Sequence, residues 1–285
     1  MLNYLFYRIG QFIAMHLPLK ITYRIATFCS DLHYMVANKD RKYVKENLKA
    51  IFPEKSNREI RRIRITMARN FAKYLVDFFR FEKLDKEYTR KNVHIENINY
   101  FDEAISRGKG VIALSAHLGN WELGGVVVAL LGYPFWIVAL PHKEKKVNDF
   151  FNFQRESKGI KVIPLGKAAR KSLDILKENG LLALAADKDF TGKGVIMDFF
   201  GKPAIFPTGP AALSLKTGAS IVPGFMLRNS DDTFTLRIEK PIEFTSTGNK
   251  ELDMKGLMRQ YIKIFEGYIC KYPDQWYMFK RFWVS

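Results

Sequence analysis

The sequence predicts an α/β fold: a sheet with at least some parallel strands, flanked by helices and preceded by a helical N-terminal region. Two observations predict it. From about residue 95, short apolar runs alternate with amphipathic segments, the pattern of strands joined by helices. Before that point, residues 1–90 read as helical throughout. With 285 residues the chain suffices for one large domain, or for a core with a smaller helical appendage. We divide it into a helical, membrane-associating region at 1–90 and an α/β core at 91–285. No internal repeat, low-complexity segment or obvious linker interrupts it.

The N-terminal stretch "MLNYLFYRIGQFIAMHLPLKITYRIATFC" is apolar but broken by Arg8, Gln11, His16, Pro18, Lys20 and Arg24. It holds no run of about 20 apolar residues, as a spanning helix requires, and no signal-peptide pattern. Leu2, Tyr4, Leu5, Phe6, Tyr7, Ile9, Phe12 and Ile13 form an aromatic apolar surface with basic residues embedded in it. That composition suits a helix lying in a membrane interface, or one packed on the protein's own core.

The segment 57–81 places Ile60, Ile63, Met67, Phe71, Leu75 and Phe78 at steps of three and four, with Asn57 as N-cap after Pro53. Its arginines, and the basic stretch "NKDRKYVKENLK" (38–49), suit a phosphate-facing surface or a solvated face. Strands follow at "GVIALSA" (110–116), "PFWIVAL" (134–140), "KVIPL" (161–165) and "GLLALAA" (180–186). Amphipathic segments at 147–159 and 167–180 separate them, the second stopped by Gly180. "SIVPGFML" and "TFTLRIEKPIEF" read as further strands, and 253–273 as a closing amphipathic helix.

Lys and Arg number 46 against 29 Asp and Glu, a net charge of +17. This implies an anionic partner (nucleic acid, a membrane surface or phosphorylated substrates) or else a merely basic soluble surface. Cys29 and Cys270 make no disulfide framework, which fits a reducing compartment.

The chemistry gathers in "VIALSAHLGNWELGG". His117 stands at the end of a strand, where α/β sheets bind ligands. A turn and a helix follow, with Asn120 as N-cap. Within one helix, residues five apart are separated by about 140° and cannot meet. With His117 in the loop and Glu122 in the first turn, they can. The helix N-terminus favours an ionised Glu122, able to accept from one ring nitrogen while the other stays free as a base. A satisfied structural histidine is the alternative. Zinc would need a third ligand, and His16, His33, His94 and His142 show no such spacing.

"AHLGNWELGG" resembles the His-x4-Asp/Glu motif of glycerolipid-type acyltransferases, in the "HLGNWE" form of the bacterial lipid A biosynthesis acyltransferases and their phosphatidylinositol mannoside-acylating relatives. "RKYVKENLKAIFP" (41–53), the block 185–225 and "YPDQWYMFKRFW" (272–283) resemble further blocks of that family in the same order. The wording "DKDFTGKG" and "DFFGKPA" leans toward the mannoside-acylating branch. The resemblance implies a glycerolipid-acyltransferase-like mixed sheet. It implies transfer of a fatty acyl group from an acyl carrier protein or coenzyme A thioester to a hydroxyl of a glycolipid or lipid A-type acceptor. His117 would be the base and Glu122 its support, with no cofactor and no metal. The work would be done peripherally or monotopically on the cytoplasmic face of a bacterial inner membrane.

Substrate-binding positions are then expected at Gly119, Asn120, Arg155, Asp187, Lys188 and Gly209. Backbone N–H groups near Gly119 and Asn120 are plausible oxyanion donors. Arg155 matches a family position and is expected either to serve phosphate or to be a solvated helix residue. Where many relatives carry another arginine the chain reads "VALPHKEKKVNDFF", so His142 or Lys143 is left as its substitute. Asp187 is expected to approach His117, or to pair with Lys188 or Arg155. Phe199, Phe200 and Phe206 either line an acyl channel or enter the core. Gly209–Pro210 opens a helix with Thr208 as its cap.

The basic charge alone would also fit a nucleic-acid binder, but no zinc finger, RRM or helix-turn-helix signal accompanies it. The first strand–helix turn lacks G-x-G-x-x-G, against a dinucleotide enzyme. A lipid hydrolase using the same pair and a non-catalytic lipid-binding protein are the remaining alternatives.

Overall fold

The computed structural model describes residues 2–284; the side chain of Leu2, counted above in the apolar surface, lies outside that description. Four helices come first: α1 (Leu2–His16), α2 (Leu19–Val36), α3 (Asn38–Ile51) and α4 (Asn57–Phe79). Alternation follows with α5 (Lys86–Asn92), β1 (Val93–Glu96), α6 (Asn99–Ser106), β2 (Val111–Ser115), α7 (Trp121–Leu130), β3 (Phe135–Ala139), α8 (Lys145–Glu156), β4 (Lys161–Pro164), α9 (Ala168–Lys177) and β5 (Leu181–Ala185). The chain ends with β6 (Val195–Phe199), β7 (Lys202–Phe206), α10 (Gly209–Thr217), β8 (Ser220–Arg228), β9 (Phe234–Ile238) and α11 (Lys250–Lys271).

Seven strands form one sheet in the order β1-β9-β8-β2-β5-β3-β4. Every pair is parallel except β8 with β9. Strands β6 and β7 make a separate antiparallel hairpin. The sheet is buried on both faces, so its strands read as continuous apolar runs. Alternate residues serve two cores. Ile112, Leu114 and Leu182 join a cluster with residues of α3, α9, α10 and α11. Val111, Leu181 and Val222 join a second cluster with α6, α7 and α8. Both clusters draw residues from α4, Ile60 and Met67 on one side and Val76, Phe78 and Phe79 on the other.

Several local expectations change. Helix α4 is capped by Ser56, not Asn57: Glu59 N–H donates to Ser56 Oγ at 3.3 Å, and Ser56 N–H to Glu59 Oε2 at 2.8 Å. Helix α9 stops at Lys177, and the left-handed residue after it is Asn179 (φ 59°), not Gly180. Thr208 makes no side-chain capping bond; Pro210 in the first turn, fixed near helical φ, starts α10. Phe199 and Phe206 are fully buried among Trp276, Phe282 and Trp283, so the hairpin feeds the core instead of lining a channel. Phe200 packs partly buried against the same cluster. Among the described residues no helix is long and apolar enough to cross a membrane.

Candidate active site

Strand β2 pairs with β5 on one side and β8 on the other. The residues just beyond its carboxyl end therefore face those beyond β5. His117 and Asp187 occupy these two places. Nδ1 of His117 lies 2.7 Å from Oδ1 of Asp187. The other carboxylate oxygen accepts from Trp276 Nε1 at 3.0 Å. Asp187 is fully buried, yet its pKa falls below the usual carboxylate value. Burial pushes it up, but the charge and hydrogen bond of His117 and the Trp276 donor outweigh that. Burial likewise pushes His117 down, and Asp187 outweighs it, so the imidazole pKa is raised.

An ionised Asp187 accepts only, so Nδ1 must carry the proton. Nε2 is then the free acceptor, with no hydrogen bond among the described residues. The His117 side chain is 22% exposed, enough to meet a substrate. Its ring packs edge-on against Trp121 at 5.0 Å and Phe190 at 5.9 Å.

Glu122 does not accept from His117. Its carboxylate is held by Arg155 of α8, Nε at 2.9 Å from Oε2 and Nη2 at 2.5 Å from Oε1. Both side chains are about nine-tenths buried, at 9% and 10% exposure, and a buried carboxylate keeps its charge only beside such a partner. Arg155 is therefore a buried clamp, neither a free phosphate binder nor a solvated helix residue. It does not pair with Asp187, and neither does Lys188.

The turn itself is tightly tied. Gly119 N–H donates to the Gln275 carbonyl at 2.9 Å and Asn120 N–H to the Met226 carbonyl at 2.7 Å. These two donors are spent on the fold and cannot be the expected oxyanion hole. Gly119 is required here: its φ is +67°, and a Cβ would lie 2.0 Å from the Met226 oxygen. Asn120 caps α7 as expected, accepting from Leu123 N–H at 3.1 Å. Its amide also donates to the buried Asp77 at 2.8 Å. Asp77 is shared with Tyr23 of α2 and Arg228 of β8.

The Lys188 ammonium stands over Phe190 at 4.9 Å and forms no ion pair among the described residues. Burial and the nearby Lys280 lower its pKa. Asp189 lies beyond the end of β5, where strand alternation does not set direction, and its carboxylate is taken up by the Thr191 and Gly194 N–H groups at 2.8 and 2.9 Å. His142 rests on Phe151 at 4.4 Å. Lys143 is exposed, and no contact brings Gly209 to His117. Among the described residues no three His, Cys, Asp or Glu side chains are grouped as metal ligands.

Sequence reasoning assigned no role to Trp276, Asp77 or Arg228. Trp276 lies inside the family-like block "YPDQWYMFKRFW", which was its one available signal.

A mostly parallel α/β sheet thus presents an oriented, accessible histidine beyond the carboxyl end of a strand, the place where such sheets bind ligands. The chain belongs to the bacterial lipid A biosynthesis acyltransferase family, which it matches over residues 1–285. It is similar to the phosphatidylinositol mannoside acyltransferase of Mycolicibacterium smegmatis, 30% identical over 227 residues that cover 78% of this chain and 72% of that one. The enzyme of the same description from Mycobacterium tuberculosis is 26% identical over 222 residues, 76% and 68% of the two chains. The lipid A biosynthesis acyltransferase of Haemophilus influenzae is 20% identical over 241 residues, 84% and 74%. The protein is an acyltransferase.

Proposed function

We propose that the protein moves a fatty acyl group from an acyl carrier protein or coenzyme A thioester to a hydroxyl of a membrane glycolipid. The observation that carries this reading is the His117–Asp187 pair at 2.7 Å, with Nε2 left accessible. Nε2 takes the proton of the acceptor hydroxyl. The oxygen attacks the thioester carbonyl, the carbon–sulfur bond breaks, and Nε2 returns the proton to the leaving sulfur. No acyl-enzyme is formed. Asp187 holds the tautomer and stabilises the transient imidazolium. Glu122 acts at one remove: with Arg155 it fixes α7 against α8, and so the turn that carries His117. Lys188, a cation without an ion-pair partner beside the base, suits an anionic group of the substrate or the developing oxyanion.

The acceptor is inferred from the named relatives, with a phosphatidylinositol mannoside-type lipid ahead of a lipid A precursor on identity. We place the enzyme on the cytoplasmic face of the inner membrane, attached peripherally or monotopically. Exposed apolar side chains of α1 and α2 support shallow insertion. The excess of basic residues supports attraction to anionic headgroups, worth up to about 1 kcal/mol per well-placed side chain.

The test is incubation of purified protein with labelled acyl thioesters and total membrane lipid, followed by mass spectrometry. A new ester-linked glycolipid, lost with His117→Ala, is expected. Release of free fatty acid alone would make the protein a hydrolase. No turnover with any donor, together with normal lipid binding by His117→Ala, would leave a lipid-binding protein.

A further inference from the structure

A cavity of about 520 Å³ runs between α2 and α4, away from the strand ends. One wall is the face of α2 from Thr22 to Tyr34, with Ala37 just past its end, the other the face of α4 from Arg64 to Phe79. At about 1.5 Å per residue the second wall is about 22 Å long. The hydrocarbon of one membrane leaflet is about 15 Å deep, half of a core of about 30 Å. The cavity is thus long enough for one extended acyl chain.

Most of the lining is apolar, but its charged groups gather at one end, where α2 gives way to α3. They are Arg41, Arg64 and one carboxylate, Asp40. Arg64 donates through Nη1 to the Arg41 carbonyl at 2.7 Å. Both guanidinium groups rest on the Tyr34 ring, at 5.4 Å for Arg41 and 6.0 Å for Arg64. Nε of Arg64 is buried without a hydrogen-bond partner. Arg41 reaches the neutral amide oxygen of Asn38. Neither arginine forms an ion pair among the described residues. Holding two cations together while leaving a buried donor unmet is costly unless an anion joins them.

The other side of α2 is apolar and exposed, with Phe28 at 64% and Met35 at 69%. Ile25 belongs both to that exposed stripe and to the cavity lining, so the two surfaces are continuous.

We infer that this cavity binds one anionic membrane phospholipid, with an acyl chain between α2 and α4 and its phosphate on Arg41 and Arg64. The acyl chain of a thioester donor fits less well. A ladder of rings stands between the cavity and the base: Phe71 to Tyr74 at 5.5 Å, Tyr74 to Trp121 at 4.7 Å, Trp121 to His117 at 5.0 Å. A chain arriving from His117 would also bring no charge to the arginine end. The phosphate of a phospholipid matches the arginine fork, and a zwitterionic choline headgroup adds a cation that opposes it.

The test is native mass spectrometry of delipidated full-length protein, titrated with phosphatidylglycerol or phosphatidylcholine of identical chains. One phosphatidylglycerol per chain is expected, bound at least about tenfold more tightly than phosphatidylcholine. Arg64→Gln should remove about that preference, and Ala72→Phe, which fills the cavity, should block both lipids. Millimolar inorganic phosphate should not displace the lipid. His117→Ala should retain it, so the site stands or falls apart from the proposed reaction. Equal binding of the two lipids, or full phosphatidylglycerol affinity in Arg64→Gln, would overturn the inference. So would stoichiometric displacement by a long-chain acyl thioester, which would make the cavity the donor's channel. A melt followed by circular dichroism shows whether Ala72→Phe folds; Arg64→Gln decides the question if it does not.

Discussion

A histidine works as a base only when one ring nitrogen keeps its proton and the other is bare. Asp187 imposes that condition on His117 through the 2.7 Å contact at Nδ1. Asp187→Asn keeps the shape but loses the charge, so the ring can adopt the wrong tautomer. Loss of acyl transfer by about 10³- to 10⁴-fold is expected, close to that of His117→Ala. The pH dependence has a definite sign. Asp187 raises the His117 pKa, and the proposed reaction needs the neutral ring, so the rate is expected to climb as pH rises through that raised value. Without Asp187, burial and the Lys188 charge pull the His117 pKa down against only the weaker influence of Glu122, and in Asp187→Asn the acidic limb of residual kcat/KM moves to lower pH. An unmoved limb would remove Asp187 from this role. Gly119→Ala should fail differently, by misfolding, because its Cβ meets the Met226 carbonyl at 2.0 Å. His117 was legible in the sequence because a strand end followed by a helix start places it. Which carboxylate reaches it was only half legible. Spacing allowed Glu122 and Asp187 alike, and Arg155, 33 residues away from Glu122, decides between them.

At the scale of elements, the Glu122–Arg155 pair joins the first turn of α7 to the last turn of α8. Removing either partner leaves a buried charge unmatched. Glu122→Ala or Arg155→Ala should each cost about 3–5 kcal/mol in chemical denaturation, and Glu122→Leu with Arg155→Met together much less than the sum. Glu122→Gln supplies the contrast with Asp187: activity falls with stability, and the acidic limb moves down much less than in Asp187→Asn, because the Glu122 charge is the weakest of those acting on His117. A limb shifted as far as in Asp187→Asn would return Glu122 to direct support of the base. Ser56→Ala, which removes the cap of α4, should cost about 1 kcal/mol. The strands and helices were legible because each obeys its own period. The caps were less so, since Ser56 and Asn57 are both good cap residues and Glu59, three positions after Ser56, completes a box only with the first. The hairpin β6–β7 was ambiguous for a related reason. An apolar phenylalanine fits a lipid channel and a core equally well, and only the packing of Phe199 and Phe206 against the C-terminal Trp276 and Phe282 decides.

At the scale of the whole molecule, the inward faces of α1, α2 and α4 close the second core, while the outward faces of α1 and α2 have nothing to cover them in the described chain. Leu5, Ile9 and Phe12 on α1, and Ile21, Ile25, Phe28, Leu32 and Met35 on α2, recur at steps of three and four, so each helix presents one apolar stripe. Phe12 and Phe28 are each 64% exposed. Burying such rings in a membrane interface is favourable by about 1 kcal/mol or more each, and the surrounding lysines and arginines add an attraction that salt screens. The two contributions separate in one sedimentation experiment with vesicles. Raising salt, or replacing anionic by zwitterionic lipid, should weaken binding without abolishing it. Phe6→Ser, Phe12→Ser and Phe28→Ser combined should lower the partition coefficient by well over tenfold even at high salt, where only insertion remains. The core is untouched by these changes, so the thermal midpoint should hold. If the triple variant binds vesicles as tightly as the parent in high salt, the apolar stripes are not the membrane contact. If salt alone releases the parent completely, the basic surface carries the attachment and the stripes face another partner.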